Sequence, residues 1–187
     1  MYVNLKSLIG RLDEQARNAL EAAAGLCLSR THYDIEIEHY LLRLLDQTDG
    51  QFAMLLRQFG ISQAQLSADL THSLDHLKTG NARTPALSPS LTRMLSDAWT
   101  IASLDFQSDK VQPGHALLAL LTNDESLRLL KNVAPKLSAI SPDELRHFLP
   151  DVVDSAEDPR RFVKGGYDDR QDWRLHQPVE GSTGAVP

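Results

Sequence analysis

Glu38-His39-Tyr40-Leu41-Leu42-Arg43-Leu44-Leu45 is answered later in the chain by Gly114-His115-Ala116-Leu117-Leu118-Ala119-Leu120-Leu121. The histidine and all four leucines match at a constant offset of 76 (115 minus 39). Upstream, Arg17 meets Arg93, Ala22 meets Ala98, Leu28 meets Leu104 and Ile35 meets Val111 at the same offset. Downstream, Phe52, Met54 and Leu55 stand against Leu127, Leu129 and Leu130 at an offset of 75. Ser62-Gln63-Ala64-Gln65 and Ser141-Pro142-Asp143-Glu144, offset by 79, both read as capping boxes that start a helix. One helical unit is therefore written twice. Each copy has an apolar face too large to leave in water, and its twin supplies the matching surface, so the expected fold is an all-α, pseudo-two-fold bundle of two four-helix repeats.

Working outward, Leu5, Leu8, Ile9 and Leu12 follow the i, i+3, i+4, i+7 spacing of one helical face and predict an additional front helix. Asp13 then caps a helix to about Arg30, with Ala16, Ala19, Leu20, Ala23 and Cys27 on one stripe of small residues that admits a close partner. Helices follow over about 37–47, over 50–59 with a stop at Gly60, and over 62–79 with Leu66, Leu70, Leu74 and Leu77 inward. Gly80 to Leu87 has a glycine, a proline and no period, which makes it the connector between repeat one (about 13–79) and repeat two (about 88–150). Ser88-Pro89 restarts a helix, with Leu91, Met94, Leu95, Ala98, Ile101 and Ala102 on its stripe to about Phe106. Residues 1–150 form one domain on this reading. From 151 to 187, Asp, Arg, Gly and Gln dominate, and Phe162, Trp173 and Leu175 show no period, so an irregular, flexible or loosely docked tail is expected.

The chain has 187 residues, 42% apolar and 24% charged, enough to bury one core. Its net charge of −6 excludes the clustered cations that hold phosphate backbones, so no nucleic acid is expected. No apolar run is long enough to span a bilayer and the first residues lack a secretory pattern, so the expected setting is the bacterial cytoplasm, with no membrane partner. The single Cys27, flanked by Leu26 and Leu28, reads as a buried helix residue.

Catalytic patterns are missing. There is no phosphate-binding loop with a Gly-Lys-Ser/Thr end, no Gly-x-Gly-x-x-Gly and no His-Glu-x-x-His, so no enzyme, catalytic residue or cofactor is expected. His72 and His76 stand at i, i+4 and can place two imidazoles on one metal, but no third ligand is evident. Solvent-facing polarity is the plainer account, and no metal site is assigned. His39 and His115 have no apparent nucleophile or pocket. Each is expected instead to satisfy unpaired backbone groups at the first turn of its helix.

The two histidine–leucine helices, their order, and the stretch from Arg17 to His39 (RNALEAAAGLCLSRTHYDIEIEH) resemble the double N-terminal repeat of the Clp family of AAA+ unfoldases over roughly residues 13 to 150. The front helix with NLKSLIGRLDEQAR, and the stretch PALSPSLTRMLSDAWTIAS, resemble in particular the ClpV branch that serves type VI secretion. The resemblance implies a non-catalytic receptor domain that holds a helix of the contracted sheath protein, TssC (VipB), for the ATPase modules of a hexameric unfoldase. In such proteins the groove lies between the front helix and the start of the second repeat. Carried onto this sequence, it comprises Leu8, Ile9, Leu12, Thr84, Leu87, Ser88 and Leu91. Plain core packing is the competing account for Leu12 and Leu91. The alternative function is a receptor of the same fold for adaptors or unfolded chains in disaggregation or proteolysis.

Overall fold

The computed structural model describes residues 4–157, and from 151 onward only the backbone. The expected irregular tail, with Phe162, Trp173 and Leu175, lies outside the described residues except at its start. A front helix α1 (Leu5–Gly10) leads to α2 (Glu14–Ser29), strand β1 (Asp34–Ile35), the histidine helix α3 (Ile37–Leu45), α4 (Gln51–Gln58) and α5 (Gln63–Asp75). The second half runs β2 (Ala86–Leu87), α6 (Pro89–Thr100) with a π-helical turn at Ile101–Asp105, α7 (Pro113–Thr122), α8 (Asp124–Val133), a short α9 (Pro135–Ser138) and α10 (Pro142–Glu157). The bundle is helical as expected, with α9 added to the second half. No helix among the described residues is long and apolar enough to cross a membrane.

The pseudo-two-fold is visible in backbone pairing. β1 and β2 are parallel, with Ile35 opposite Leu87, and a separate parallel bridge joins Leu12 to Val111. Leu87 follows Leu12 by 75 and Val111 follows Ile35 by 76, so the two bridges are the same contact made twice with the repeats exchanged. Asp13 N–H donates to the Val111 carbonyl at 2.9 Å, and its counterpart Ser88 N–H donates to Ile35 at 3.0 Å. Thr31 and Gln107, again 76 apart, both take positive φ (56° and 51°) where the chain leaves the first helix of its repeat. A left-handed residue there ends a helix by turning its last carbonyls towards new donors.

The register of that first helix corrects the sequence alignment. Asp13 caps α2 and Ser88 caps α6, each accepting the N–H three residues on, at an offset of 75 rather than 76. Burial agrees: Ala19, Leu20 and Ala23 match Met94, Leu95 and Ala98, whereas Ala22 is exposed and is not the mate of buried Ala98. The π-helical turn at Ile101–Asp105 takes up the additional residue, and the offset is 76 from there to the histidine helix. A π turn is how an α-helix accepts one inserted residue without breaking.

Three other boundaries differ from expectation. α1 stops at Gly10, and Leu12 lies beyond it in the Val111 bridge, because the chain gains backbone pairing there that a further helical turn would forfeit. α5 ends at Asp75, leaving Leu77 outside it and only partly buried. α10 continues past the expected end at Leu149-Pro150. Pro150 is exposed, so the Arg146 carbonyl it leaves unbonded can be solvated.

Capping also departs from the pattern. Ser62 Oγ accepts from Gln65 N–H at 3.2 Å, but the Gln65 amide turns forward to Asp69 at 2.9 Å instead of back to the cap. The core gathers α2, α3, α4, α6 and α7 around fully buried Tyr40, Phe52, Leu44, Leu91, Met94 and Leu118. Cys27 is buried, and burial pushes its thiol up to about 11, which suits packing rather than reactivity.

Candidate functional site

Both repeated histidines are capping groups. His39 Nδ1 accepts the Glu36 N–H at 2.9 Å and His115 Nδ1 accepts the Gln112 N–H at 3.0 Å, closing a capping box in which imidazole takes the place of Glu or Gln. An accepting Nδ1 puts the proton on Nε2. In repeat one that Nε2–H lies 2.8 Å from His32 Nδ1 and donates to it. In repeat two it has no polar partner among the described residues, and the Phe106 ring lies 5.0 Å from the imidazole, centroid to centroid. Burial lowers both pKa values to about 4, with His32 and Arg30 adding to the effect at His39. These are neutral, structural imidazoles, as their place before each leucine run suggested.

The seven residues that the resemblance assigned to a groove divide by burial. Leu8, Leu12, Ser88 and Leu91 are buried in the core and do not present their side chains at the surface. Ser88 has two structural contacts: its Oγ accepts the Leu91 N–H at 3.0 Å, and it hydrogen-bonds the Glu36 side chain. Ile9 and Leu87 are partly buried and pack against the same core, and Thr84 is exposed on the connector. The fold brings the two halves of this set onto one support, because α1 packs on α6 and β2 runs directly into the Ser88 cap of α6. Apolar spacing identified the core-facing leucines well. It did not separate residues at the surface from those buried beneath it.

Sequence reading passed over several neighbours. Leu5 on α1 is 36% exposed, and Arg11 stacks over the half-buried Trp99 of α6 at 4.8 Å, which ties the end of the front helix to the second repeat. Next to β1, a cavity of about 260 Å³ is lined by His32, Tyr33, Asp34, Glu36, Leu77 and Lys78, and the Lys78 ammonium lies 5.4 Å from the Tyr33 ring centre. Burial raises the Glu36 pKa, an effect that the Ser88 hydrogen bond partly offsets. His72 and His76 are in edge contact, centroids 4.6 Å apart, with His76 Nδ1 bonded to the His72 carbonyl. No group of three or more His, Cys, Asp or Glu suited to a metal forms among the described residues.

A duplicated helical bundle, with a capping histidine in each half and a front helix packed on the second repeat, defines a double-repeat N-terminal domain. Residues 11–133 match the Clp repeat (R) N-terminal domain, and the chain belongs to that family. It is 30% identical over 145 residues to the chaperone protein ClpB of Yersinia enterocolitica, a match covering 78% of this chain and 16% of that one. It is 25% identical over 161 residues to the AAA+ ATPase ClpV1 of Pseudomonas aeruginosa, covering 86% and 18%. The chain thus spans less than a fifth of the length of these relatives.

Solved structures align over nearly their whole length. A chain studied for the coevolution of the ATPase ClpV with the TssB-TssC sheath and the accessory HsiE protein superposes with a TM-score of 0.77 at 26% identity, covering 81% of this chain and 94% of that one. A complex of the ClpV N-domain with a VipB peptide superposes at 0.70 and 26% identity, covering 82% and 94%.

Proposed function

We propose that this chain is the substrate-recognition domain of a type VI secretion unfoldase: it holds a helix of the contracted sheath protein while AAA+ modules of the parent supply the pulling force. It does no chemistry of its own. The observation that carries this reading is the likeness, over 82% of this chain and 94% of that one, to a ClpV N-domain that is complexed with a VipB peptide. In support, Leu5, Ile9, Thr84 and Leu87 reach the surface on α1 and the connector, while Leu8, Leu12, Ser88 and Leu91 form the rigid support beneath them. An amphipathic helix laid on such a surface is anchored by a few aliphatic side chains, each contributing about 1.5–3 kcal/mol before ordering costs are subtracted. That yields micromolar capture by a single domain. A ring of receptors on a sheath lattice gains the rest from avidity.

Replacing Leu87 by Arg removes one anchor and places a charge where the guest's apolar face must lie. Binding of a VipB-derived helical peptide, followed by fluorescence anisotropy, is expected to weaken more than tenfold, while circular dichroism stays unchanged and the domain still melts cooperatively. Equal binding by the variant and the parent would place the groove elsewhere.

The identity to ClpB favours a second reading, a receptor for adaptors or unfolded chains in disaggregation. Retention of assembled sheath over denatured protein on immobilised domain supports the first reading, and the reverse preference supports the second.

A further inference from the structure

His72 and His76 stand one turn apart at the end of α5, where His76 is the cap residue. Both are exposed, and they line a cavity of about 380 Å³ together with Asp69 of α5 and with Asn132 and Pro135 from the α8–α9 junction. The cavity therefore lies on the seam between the two repeats. His76 Nδ1 donates to the His72 carbonyl at 2.7 Å, since a carbonyl only accepts. That bond satisfies one of the last carbonyls of α5 and also settles the tautomer, leaving the lone pair of neutral His76 on Nε2. A ring N–H held by a backbone carbonyl is the arrangement that orients metal-binding histidines.

We infer that this pair, which spacing alone left as solvent-facing polarity, binds a divalent late transition-metal ion through two imidazole nitrogens. With metal–nitrogen bonds of about 2.0–2.1 Å, two imidazoles at a right angle on one ion have ring centres about 4.5 Å apart, and at the tetrahedral angle about 5.2 Å. The observed separation is 4.6 Å. A right angle belongs to tetragonal nickel(II) and copper(II) rather than to four-coordinate zinc. No third His, Cys, Asp or Glu completes the set among the described residues, so water fills the remaining positions. Asp69 and Asn132 on the cavity wall offer acceptors to that water, and the Asp69 carboxylate is held by the Gln65 amide at 2.9 Å. The two nitrogens converge only while α5 is helical. The ion therefore binds the folded chain more tightly than the unfolded one and stabilises it.

The test uses the untagged 187-residue chain and nickel(II) chloride. In NMR titrations the paramagnetic ion is expected to broaden the ring signals of His72 and His76 before those of any other histidine. His72→Gln and His76→Gln are each expected to weaken binding more than tenfold by calorimetry, because a single imidazole remains. His72→Gln keeps the cap, since His76 bonds to the backbone of residue 72 and not to its side chain. His147→Gln, on α10, is expected to bind as the parent does. Urea midpoints are expected to rise with nickel in the parent and in His147→Gln but not in His72→Gln. The proposal is overturned if another histidine broadens first, if His72→Gln binds nickel as tightly as the parent, or if its midpoint rises equally.

Discussion

Gly114→Glu is expected to unfold the domain at room temperature, although the matching position of repeat one already carries a glutamate. Glu38 is buried there with one carboxylate oxygen 3.1 Å from Ser73 Oγ on α5, and the space around it is shaped to a long side chain. At Gly114 the second half has closed that space. A Cβ added there would stand 2.2 Å from Leu149 Cδ2 and 3.0 Å from Gln51 Oε1. Gln51 is a side-chain link between repeats: its amide donates to Gln112 Oε1 at 2.8 Å and its carbonyl accepts the Gly114 N–H at 2.7 Å. A glutamate displaces this link, overpacks against fully buried Leu149 and buries a charge without a partner, a combination of order 4 kcal/mol or more. Gly114→Ala is milder. Alanine gains about 1 kcal/mol of helix propensity, and the Leu149 methyl can swing aside, so a net loss of about 1–2 kcal/mol is expected. Urea unfolding followed by circular dichroism separates the two variants. A folded, cooperatively melting Gly114→Glu protein would show that α7 and α10 are not packed as described.

Acid is expected to weaken the domain well before its carboxylates are neutralised. His39 and His115 have folded pKa values of about 4, against about 6.5 in an unfolded chain. Between those values the unfolded state binds more protons than the folded one, so stability is full above pH 6.5 and falls as pH drops towards 4. Each histidine contributes a slope of up to about 1.4 kcal/mol per pH unit across that window. Protonation also removes the Nδ1 acceptor that caps the helix. Half-buried Asp13, Glu36 and Asp97 oppose the trend as they take up protons, since partial burial raises their pKa values and the folded state then holds their protons more tightly. His115→Gln checks the assignment, because glutamine at that position can still accept the cap N–H but does not titrate. Urea midpoints measured from pH 7 to 4.5 should fall less steeply in the variant than in the parent, with His39 and His32 supplying the slope that remains. An unchanged slope would mean that His115 is not the titrating group.

Much of the fold was legible because a histidine before four leucines is a packing pattern with a fixed period, and its repetition forced two similar halves together. The capping role of the histidines was legible for the same reason: position in the helix determines which backbone groups need a partner. The single-residue shift in register was not, since alanines at 22 and 98 agree by chance while the buried face uses Ala23. Nor was the end of the front helix. Leu5, Leu8, Ile9 and Leu12 keep helical spacing, yet Leu12 is claimed by a bridge to Val111 that lies 99 residues (111 minus 12) further along. The residues named for a groove fall into two kinds, because hydrophobicity marks a leucine as fit for burial whether another protein or the chain itself buries it. Leu8, Leu12 and Leu91 belong to the second kind, and only tertiary packing distinguishes them from Ile9 and Leu87.

The bulged turn at Ile101–Asp105 shows how two sister halves have grown apart without losing their fit. Before it and after it, neighbouring partners meet as they do in the other half, so a gained amino acid has been swallowed locally rather than passed down the chain. Divergence of the two halves can then proceed through wound-up surplus at a helix end, with the surfaces that clasp each other left as they were.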